Sequence, residues 1–518
     1  MSDFPLLSLL VALPLLGAFV VPALRGTTAK QAGLGFSLAT LVLAVVVAAQ
    51  YELDGGMQLT ETYEWIPSFG VNFALGVDGL GLLMVLLTVL LVPVVLLASW
   101  REDETAIDGN EQGSPAAFVA WTLALESLSL AVFLATDVFL FYLVFEATLI
   151  PAYFLVGGFG RAGRSAAAVK FLMFQLAGGL VLLIGVIGLY VVSAQAGTPS
   201  YLLSDLMALD IDTEAGRWLF ATFFIAFAIK APLFPVHTWL ADTTGKATPG
   251  TSVLLVCVLD KIGTFGMLRF CLGIFPEASQ WATPLVIVLA LVSIVYGAFV
   301  AIGQDDVMRL IGLTSLSHFG FIVLGIFVFS TQGGTGSILY MVNHGLGTAA
   351  LFLVAGYLVS RRGTSSIREL GGQEKVTPVL AGLLLVAGLA TLGLPGLSPF
   401  ISEFLVIIAA FQYAWYVGAV AVTGIVLAAV YVLWMYQRTM TGPTPEVVSR
   451  DADLGVREIA AVAPLVAALV FLGFYPMPLM DAANPYVGDL LSHVGVTDDP
   501  PEVTAPAAGS DDAEEGES

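Results

Sequence analysis

Apolar stretches of about twenty residues recur from Pro5 to Tyr475, the length at which an α-helix crosses the hydrocarbon core of a bilayer. Short polar stretches separate them. We count fourteen, with centres near residues 13, 41, 88, 125, 147, 181, 229, 261, 292, 318, 348, 394, 428 and 466. The pattern predicts an all-α polytopic membrane protein with about fourteen transmembrane helices.

The distribution of basic residues supports this count, because Lys and Arg concentrate in the cytoplasmic loops of membrane proteins. With fourteen spans, fifteen of the nineteen basic residues fall in loops on one side. Only Arg217 and Arg269 fall on the other side, and Lys230 and Lys261 lie within spans. One missed span would exchange the two sides for every later loop. We therefore predict that both termini lie on the non-cytoplasmic side.

Composition excludes several classes of function. Hydrophobic residues make up 58% of the chain and charged residues only 11%, whereas soluble domains carry about 25% charged residues. The tail from Thr497 is acidic without a basic residue and predicts a disordered terminus. No basic face is visible for a nucleic-acid partner. Two cysteines and four histidines do not form any haem, iron–sulfur or zinc motif, so we expect no metal or redox cofactor in this chain.

Ionisable residues within the predicted spans are the candidates for function, because a charge at bilayer depth is costly. The candidates are Glu126, Glu146, Lys230, Lys261, His318, His344 and Glu403. The chain has only six lysines, and two of them lie at mid-span. A desolvated lysine can release its proton, whereas arginine cannot. This choice of residue favours a proton relay, and the alternative is a set of static ion pairs that fix helix packing.

Five ionisable residues differ in how strongly they indicate a function. His318 and His344 lie in consecutive spans, and histidine titrates near neutral pH. His237 follows a helix break and is an accessory candidate with a structural or gating role. Asp260 directly precedes Lys261, but neighbouring residues do not face each other on a helix, so Asp260 is also only an accessory candidate. Glu126 is the third accessory candidate, because it could instead face a partner helix.

Two spans contain helix breaks beside a charged residue. Pro232 and Pro235 follow Lys230, and Pro395 and Pro399 precede Glu403. Proline frees the carbonyl four residues before it. The carbonyls concerned belong to Ala228, Ala231, Thr391 and Pro395. Irregular backbone at membrane depth is tolerated only inside protein or beside water, so these breaks predict internal polar cavities.

The two breaks lie five spans apart, which suggests two inverted repeats of five helices, spans 4–8 and 9–13. This gives an expected domain organisation. A three-span segment at 1–114 is followed by the first repeat at 115–275 and the second at 276–440. A loop and the last span occupy 441–496, and the acidic tail occupies 497–518.

Seven segments also carry a resemblance to a known family. They read GVDGLGLLMVLLT, FYLVFEATLIPAYFL, IKAPLFPVHTWL, LDKIGTFGMLRF, LSHFGF, MVNHGLGTAALFLVAG and GLPGLSPFISEF. As a set they resemble the antiporter-like, proton-pumping membrane subunits of respiratory complex I, the NADH:quinone oxidoreductase. The same family includes the large subunits of Mrp-type sodium/proton antiporters. Glutamate at position 403, where related subunits usually have lysine, favours the NuoM-like members.

The resemblance implies a role for each relay residue. Glu146 would modulate the proton affinity of Lys230. Lys261, His318 and His344 would form a hydrated central relay, and Glu403 would be the exit-side carrier. The segment TWLADTTGKATPG lacks the proline and histidine that the family usually has after TWL, which leaves the connection of spans 7 and 8 open.

The resemblance also implies a setting for the chain. It places this subunit in the bacterial cytoplasmic membrane beside NuoL-like and NuoN-like neighbours, with lipid, protons and water as its other contacts. FMN, iron–sulfur clusters and quinone are expected in partner subunits. Two other functions stay open: an Mrp-type Na⁺/H⁺ antiporter subunit, and a scaffold whose buried charges only hold helices together.

Overall fold

A computed structural model describes residues 4–53, 56–101, 113–197 and 199–497. In this part of the chain, twelve helices are long and apolar enough to cross a membrane. The other two predicted spans, centred near residues 229 and 394, are the interrupted ones. The predicted all-α polytopic membrane fold is therefore confirmed. The acidic tail after Thr497 lies outside the described residues.

The N-terminal segment contains three spans and a hairpin that the sequence analysis did not predict. Its elements are α1 (Leu6–Val20), α2 (Gly26–Gln50), β1 (Gln58–Ile66), β2 (Val71–Val77) and α3 (Gly79–Ala98). The strands pair antiparallel, with Tyr63 opposite Phe73. Gly70 turns the chain between them at φ +67°, a conformation that favours glycine. Alternating polar and apolar residues in QLTETYEWI are the strand signal that the search for long apolar stretches passed over.

The middle of the chain carries the next five predicted spans. Its helices are α4 (Pro115–Leu134), α5 (Val138–Ala147), α6 (Leu149–Gly158), α7 (Arg164–Gln195), α8 (Leu203–Met207), α9 (Thr213–Lys230), α10 (Thr238–Thr244), α11 (Pro249–Val253) and α12 (Lys261–Gly266). Two π-helical segments, Leu254–Leu259 and Met267–Leu272, flank α12 and continue its span. Short π-helical segments occur frequently at functional sites.

Eight further helices follow in the described residues up to 497. They are α13 (Pro276–Ile302), α14 (Val307–Phe327), α15 (Thr331–Arg362), α16 (Pro378–Thr391), α17 (Ser398–Tyr413), α18 (Trp415–Met440), α19 (Val456–Phe474) and α20 (Met477–Val494). The sequence analysis did not predict α20. Its buried residues include Leu479, Ala483 and Val487, which recur every four positions and so form one apolar stripe on this helix.

The core of the bundle is formed by helices that are buried all round. The span from Pro249 to Leu272, α14 and α15 bury every residue of their most apolar windows. By contrast, α1, α2 and α19 leave most of theirs uncovered. A helix surrounded by other helices can carry ionisable side chains that never meet lipid. Lys261, His318 and His344 all lie on these central helices.

A buried ion pair corrects the expected position of Arg269. The span count placed Arg269 in a loop, but it lies in the π-helical segment Met267–Leu272 and is buried. Its Nη2 donates to Asp78 Oδ1 at 2.8 Å, and Nη1 donates to Oδ2. Asp78 also caps α3 by accepting from the Gly81 amide. The prediction failed because the span is longer than its apolar core suggests, and the paired carboxylate compensates the buried charge.

Candidate functional site

The central contact of the site joins Lys261 to His344. Lys261 begins α12 and is fully buried, with Nζ 2.6 Å from His344 Nδ1 on α15. The same ammonium lies 4.3 Å from the centroid of the Phe319 ring on α14. Three helices thus meet at this one side chain. None of the ion pairs found among the described residues includes Lys261, so its direct polar neighbour is an imidazole rather than a carboxylate.

The contacts continue from His344 to Glu403. The rings of His344 and His318 lie 5.2 Å apart between centroids. His318 Nδ1 is 2.5 Å from the Tyr340 hydroxyl, which donates a hydrogen bond to Glu403 Oε1. A proton held at Lys261 could therefore reach Glu403 through groups that each exchange protons.

Tyr340 and Tyr431 belong to the site, and the sequence analysis missed both. Tyr340 bridges His318 and Glu403, and the Tyr431 hydroxyl on α18 lies 3.3 Å from His318 Nε2. The search considered charged residues and histidines only. Tyr340 could have been found, because it stands four residues before His344 and therefore lies on the same helix face. Tyr431 lies on a separate helix and carries no such signal.

The second helix break positions Glu403. Residues 392–397 separate α16 from α17, with Pro395 in the gap and Pro399 in the first turn of α17. The Asn343 side-chain amide on α15 donates to the Ser398 carbonyl at 3.0 Å and to Ser402 Oγ at 2.8 Å. The start of α17 is thereby held against α15, which places Glu403 beside Tyr340.

The first helix break follows Lys230 directly, because α9 ends at that residue. Pro232 and Pro235 lie in the non-helical residues 231–237. The carbonyl of Ala228 was expected to be freed here, but it accepts from the Leu233 amide at 3.0 Å, so that expectation was wrong. The indole of Trp239 donates to the neighbouring Ile229 carbonyl at 3.2 Å. Local contacts therefore satisfy part of the backbone that the prolines release.

Lys230 and Glu146 form a second group. Lys230 is fully buried, with Nζ 3.3 Å from Thr148 Oγ1 and 4.6 Å from the centroid of the Phe145 ring. Glu146 lies two residues before Thr148, at the point where α5 gives way to α6. Across the described ranges, no ion pair within 4.0 Å joins Lys230 to Glu146. Lys230 thus lies beside the short segment that carries Glu146, but the two side chains do not form an ion pair.

The two groups are linked by close packing of their helices. A Cβ on Gly263 of α12 would stand 2.6 Å from the Phe227 carbonyl oxygen of α9, so the two backbones touch. Lys261 and Lys230 therefore come from adjoining turns of contacting helices. The structure brings together the lysines, histidines and Glu403 of the sequence prediction in one continuous interior region.

The accessory candidates lie in different surroundings. Asp260 and Glu126 are buried, and neither carboxylate has a hydrogen-bond partner. His237 stacks on Phe234 with 6.0 Å between ring centroids, and its Nδ1 has no hydrogen-bond partner. Of the residues that the structure describes, no three His, Cys, Asp or Glu side chains stand together as metal ligands would.

Comparison with known proteins identifies the family. Residues 135–428 match the family described as NADH:quinone oxidoreductase/Mrp antiporter, TM. A protein of Mycobacterium tuberculosis named NADH-quinone oxidoreductase subunit M is 48% identical over 100% of both chains. The chain belongs to this family.

Two solved structures share the fold of this chain. One chain of the respiratory complex I from Thermus thermophilus with bound NADH superimposes with a TM-score of 0.86 and 32% identity, covering 95% of this chain and 100% of that one. A chain of the Mrp complex from a Dietzia species superimposes with a TM-score of 0.83 at 23% identity, again over 95% and 100%. The second likeness is one of fold alone.

Proposed function

We propose that this chain is a NuoM-like, proton-translocating subunit in the membrane arm of an NADH:quinone oxidoreductase. It has no redox role of its own, and redox chemistry in partner subunits supplies the energy. The observation that carries the proposal is the buried series of contacts Lys261–His344–His318–Tyr340–Glu403. The full-length relative named subunit M supports the choice of assembly.

The contacts define a sequence of proton transfers. Lys261 Nζ gives a proton to His344 Nδ1 across their 2.6 Å contact. The proton then passes to His318, either by ring movement or through one water, because the ring centroids are 5.2 Å apart. Tyr340 accepts a proton from His318 as its own hydroxyl proton moves to Glu403. Release of the proton from Glu403 restores its carboxylate, and Lys261 is ready for the next transfer once it has received a proton from Lys230.

Lys230 and Glu146 would control when Lys261 is loaded. An ionised carboxylate close to Lys230 favours the charged ammonium, and separating the two favours loss of the proton from this desolvated lysine. Lys230 then passes its proton towards Lys261 on the contacting helix. The separated arrangement of the pair in this structure supports a control of this kind.

The proposed function also implies a place for the chain in the membrane and in the complex. The full-length bacterial relative supports a place in the cytoplasmic membrane of a bacterium, and the basic loops favour both termini on the non-cytoplasmic side. Neighbouring subunits would be NuoL-like and NuoN-like chains, with FMN, iron–sulfur clusters and quinone held elsewhere in the complex. The helix breaks favour inverted repeats over spans 4–8 and 9–13.

The proposal is tested by isolating the tagged chain from gently solubilised membranes and identifying its partners by mass spectrometry. We expect flavin-bearing and iron–sulfur-bearing NADH dehydrogenase subunits, and NADH-driven acidification of inverted membrane vesicles. Recovery with only small hydrophobic subunits, and proton movement that depends on Na⁺, would instead support an Mrp-type antiporter. The fold shared with the Dietzia chain is the reason for testing the antiporter function as the second candidate.

Changing Tyr340 to phenylalanine is expected to slow pumping while the complex still assembles. Phenylalanine keeps the buried ring but removes the hydroxyl that joins His318 to Glu403. We expect roughly a tenfold decrease in the ratio of protons moved to NADH oxidised, because a water can partly replace the lost hydroxyl. The matched control is Tyr431→Phe, because the Tyr431 hydroxyl contacts His318 Nε2 and does not lie between His318 and Glu403. Equal effects of the two changes would contradict the bridging role.

A further inference from the structure

The carboxylate of Glu146 lies directly against the backbone of Gly179 on α7. A Cβ at position 179 would overlap Glu146 Oε1 and stand 2.7 Å from Oε2. The carboxylate therefore occupies space that the side chain of any other residue would fill. Glu146 Oε1 is buried and has no hydrogen-bond partner. No donor holds Oε1 at this place, so its position depends on the missing Cβ of the facing helix.

The second relay carboxylate has the same arrangement in the other half of the chain. A Cβ at Gly393, in the break between α16 and α17, would overlap Glu403 Oε2 and stand 2.9 Å from Cδ. Glu403 Oε2 is also buried without a hydrogen-bond partner, whereas Oε1 accepts from Tyr340. Gly393 has a φ of +75°, which by itself favours glycine. The contact with Glu403 is a second requirement for glycine at this position.

We propose that Gly179 and Gly393 are positioning residues that form seats for the two relay carboxylates. A seat is the space against the glycine backbone that the carboxylate occupies because no Cβ fills it. This inference rests on the proposed relay function and deepens it. In its seat Glu146 lies beyond ion-pair distance of Lys230, so Gly179 provides the separated position that the control of Lys230 requires.

A seated carboxylate is suited to moving. A buried oxygen without a donor is costly, so the seated position is held only weakly against alternatives that offer a partner. Glu146 can leave the seat towards Lys230, which lies beside the same α5–α6 segment. Glu403 can turn Oε2 out of its seat while Oε1 stays on Tyr340. The glycines thus define one of two positions for each carboxylate.

Gly179→Ala tests the first seat, with Gly178→Ala as its control. The two glycines are adjacent on α7, but the three atoms nearest to a Cβ at Gly178 all belong to Ile229, and the nearest is at an ordinary 3.4 Å. We expect Gly179→Ala to lower NADH-driven pumping in inverted vesicles roughly tenfold or more, because displacing a group that controls the reaction by about 1 Å can have an effect of this size. Gly178→Ala is expected to pump like the unmodified complex.

Restoration of pumping by a shorter side chain at position 146 would distinguish a seat from a general packing defect. Glu146→Asp shortens the side chain by one carbon–carbon bond, about 1.5 Å. The double variant Gly179→Ala with Glu146→Asp is therefore expected to pump better than Gly179→Ala alone. If Gly179→Ala fails to assemble on native gels, the same double variant is expected to restore assembly. Absence of rescue, or equal damage from Gly178→Ala, would overturn the seat at Gly179.

Gly393→Ala tests the second seat, and Gly396→Ala is a control for backbone strain. Both glycines have positive φ, +75° and +94°, in the same helix break. A Cβ at Gly396 would meet only Phe474, at 3.5 Å, and no carboxylate. We expect Gly393→Ala to lower pumping, and we expect the added change Glu403→Asp to restore part of it. Gly396→Ala is expected to lower pumping only as far as backbone strain does, and Glu403→Asp is not expected to restore that loss. Relief of both by Glu403→Asp, or of neither, would overturn this seat.

Failure of the seats can be told from failure of the proposed function. If the unmodified chain is recovered without redox subunits, the function fails whatever the glycine variants do. If NADH-driven pumping is present but the matched glycines behave alike, only the seats fail.

Discussion

Replacing Lys261 with methionine is expected to stop proton transfer through this subunit without preventing assembly. Methionine fills a volume similar to that of the lysine side chain and suits the apolar contact with Phe319. It leaves no described salt-bridge partner behind, because the near neighbour of Lys261 Nζ is the His344 imidazole. What disappears is the ammonium that contacts His344 Nδ1 directly and gives it the proton in the proposed series. Losing a proton-transferring side chain lowers rates by about 100-fold or more.

The measurement is the number of protons moved per NADH oxidised in inverted vesicles, with the amount of assembled complex read from native gels. Lys375→Met is the matched control, since Lys375 is exposed in the loop before α16. We expect the control to pump normally. A stable complex with unchanged pumping in Lys261→Met would instead favour the scaffold function, in which buried charges only hold the helices together.

Most of the fold could be predicted because bilayer spans leave a strong signal in the sequence. Each long apolar stretch corresponds to a helix, and the two in which a pair of prolines lies beside a charged residue are interrupted, at residues 231–237 and 392–397. The hairpin of β1 and β2 and the helix α20 escaped because they are amphipathic and lie outside the long apolar stretches. Arg269 was misplaced for a related reason: its pairing with Asp78 is a long-range contact that no local pattern contains.

The composition of the site could be predicted, but its connections could not. A buried lysine or histidine is conspicuous in an apolar segment, whereas a tyrosine such as Tyr340 looks like ordinary core. The order of the contacts also differs from the order of the sequence, since Lys261 meets His344 before His318. The seats at Gly179 and Gly393 depend on the approach of another segment, and a glycine in a membrane helix gives no sign of what faces it.

Replacing Lys230 with arginine distinguishes two possible roles of this residue at the start of the series. One role is to release and accept a proton, and the other is to provide a permanent positive charge. Arginine keeps the positive charge beside Thr148 and Phe145 but does not release its proton. A scaffold that needs only a buried cation would tolerate this change and would be damaged by Lys230→Ala. A relay needs the proton to leave, so we expect both variants to lose proton pumping, again by about 100-fold or more in rate.

Size is the competing explanation, because the larger guanidinium must fit where Lys230 is fully buried. Lys230→Met controls for this, since it fits the site as lysine does and carries no proton. We expect Lys230→Met and Lys230→Arg to assemble to similar levels and to pump equally poorly, although one is neutral and the other is charged. Normal pumping by the arginine variant would show that only the positive charge at position 230 matters. Lys230 would then be a structural cation, and the proton series would begin at Lys261.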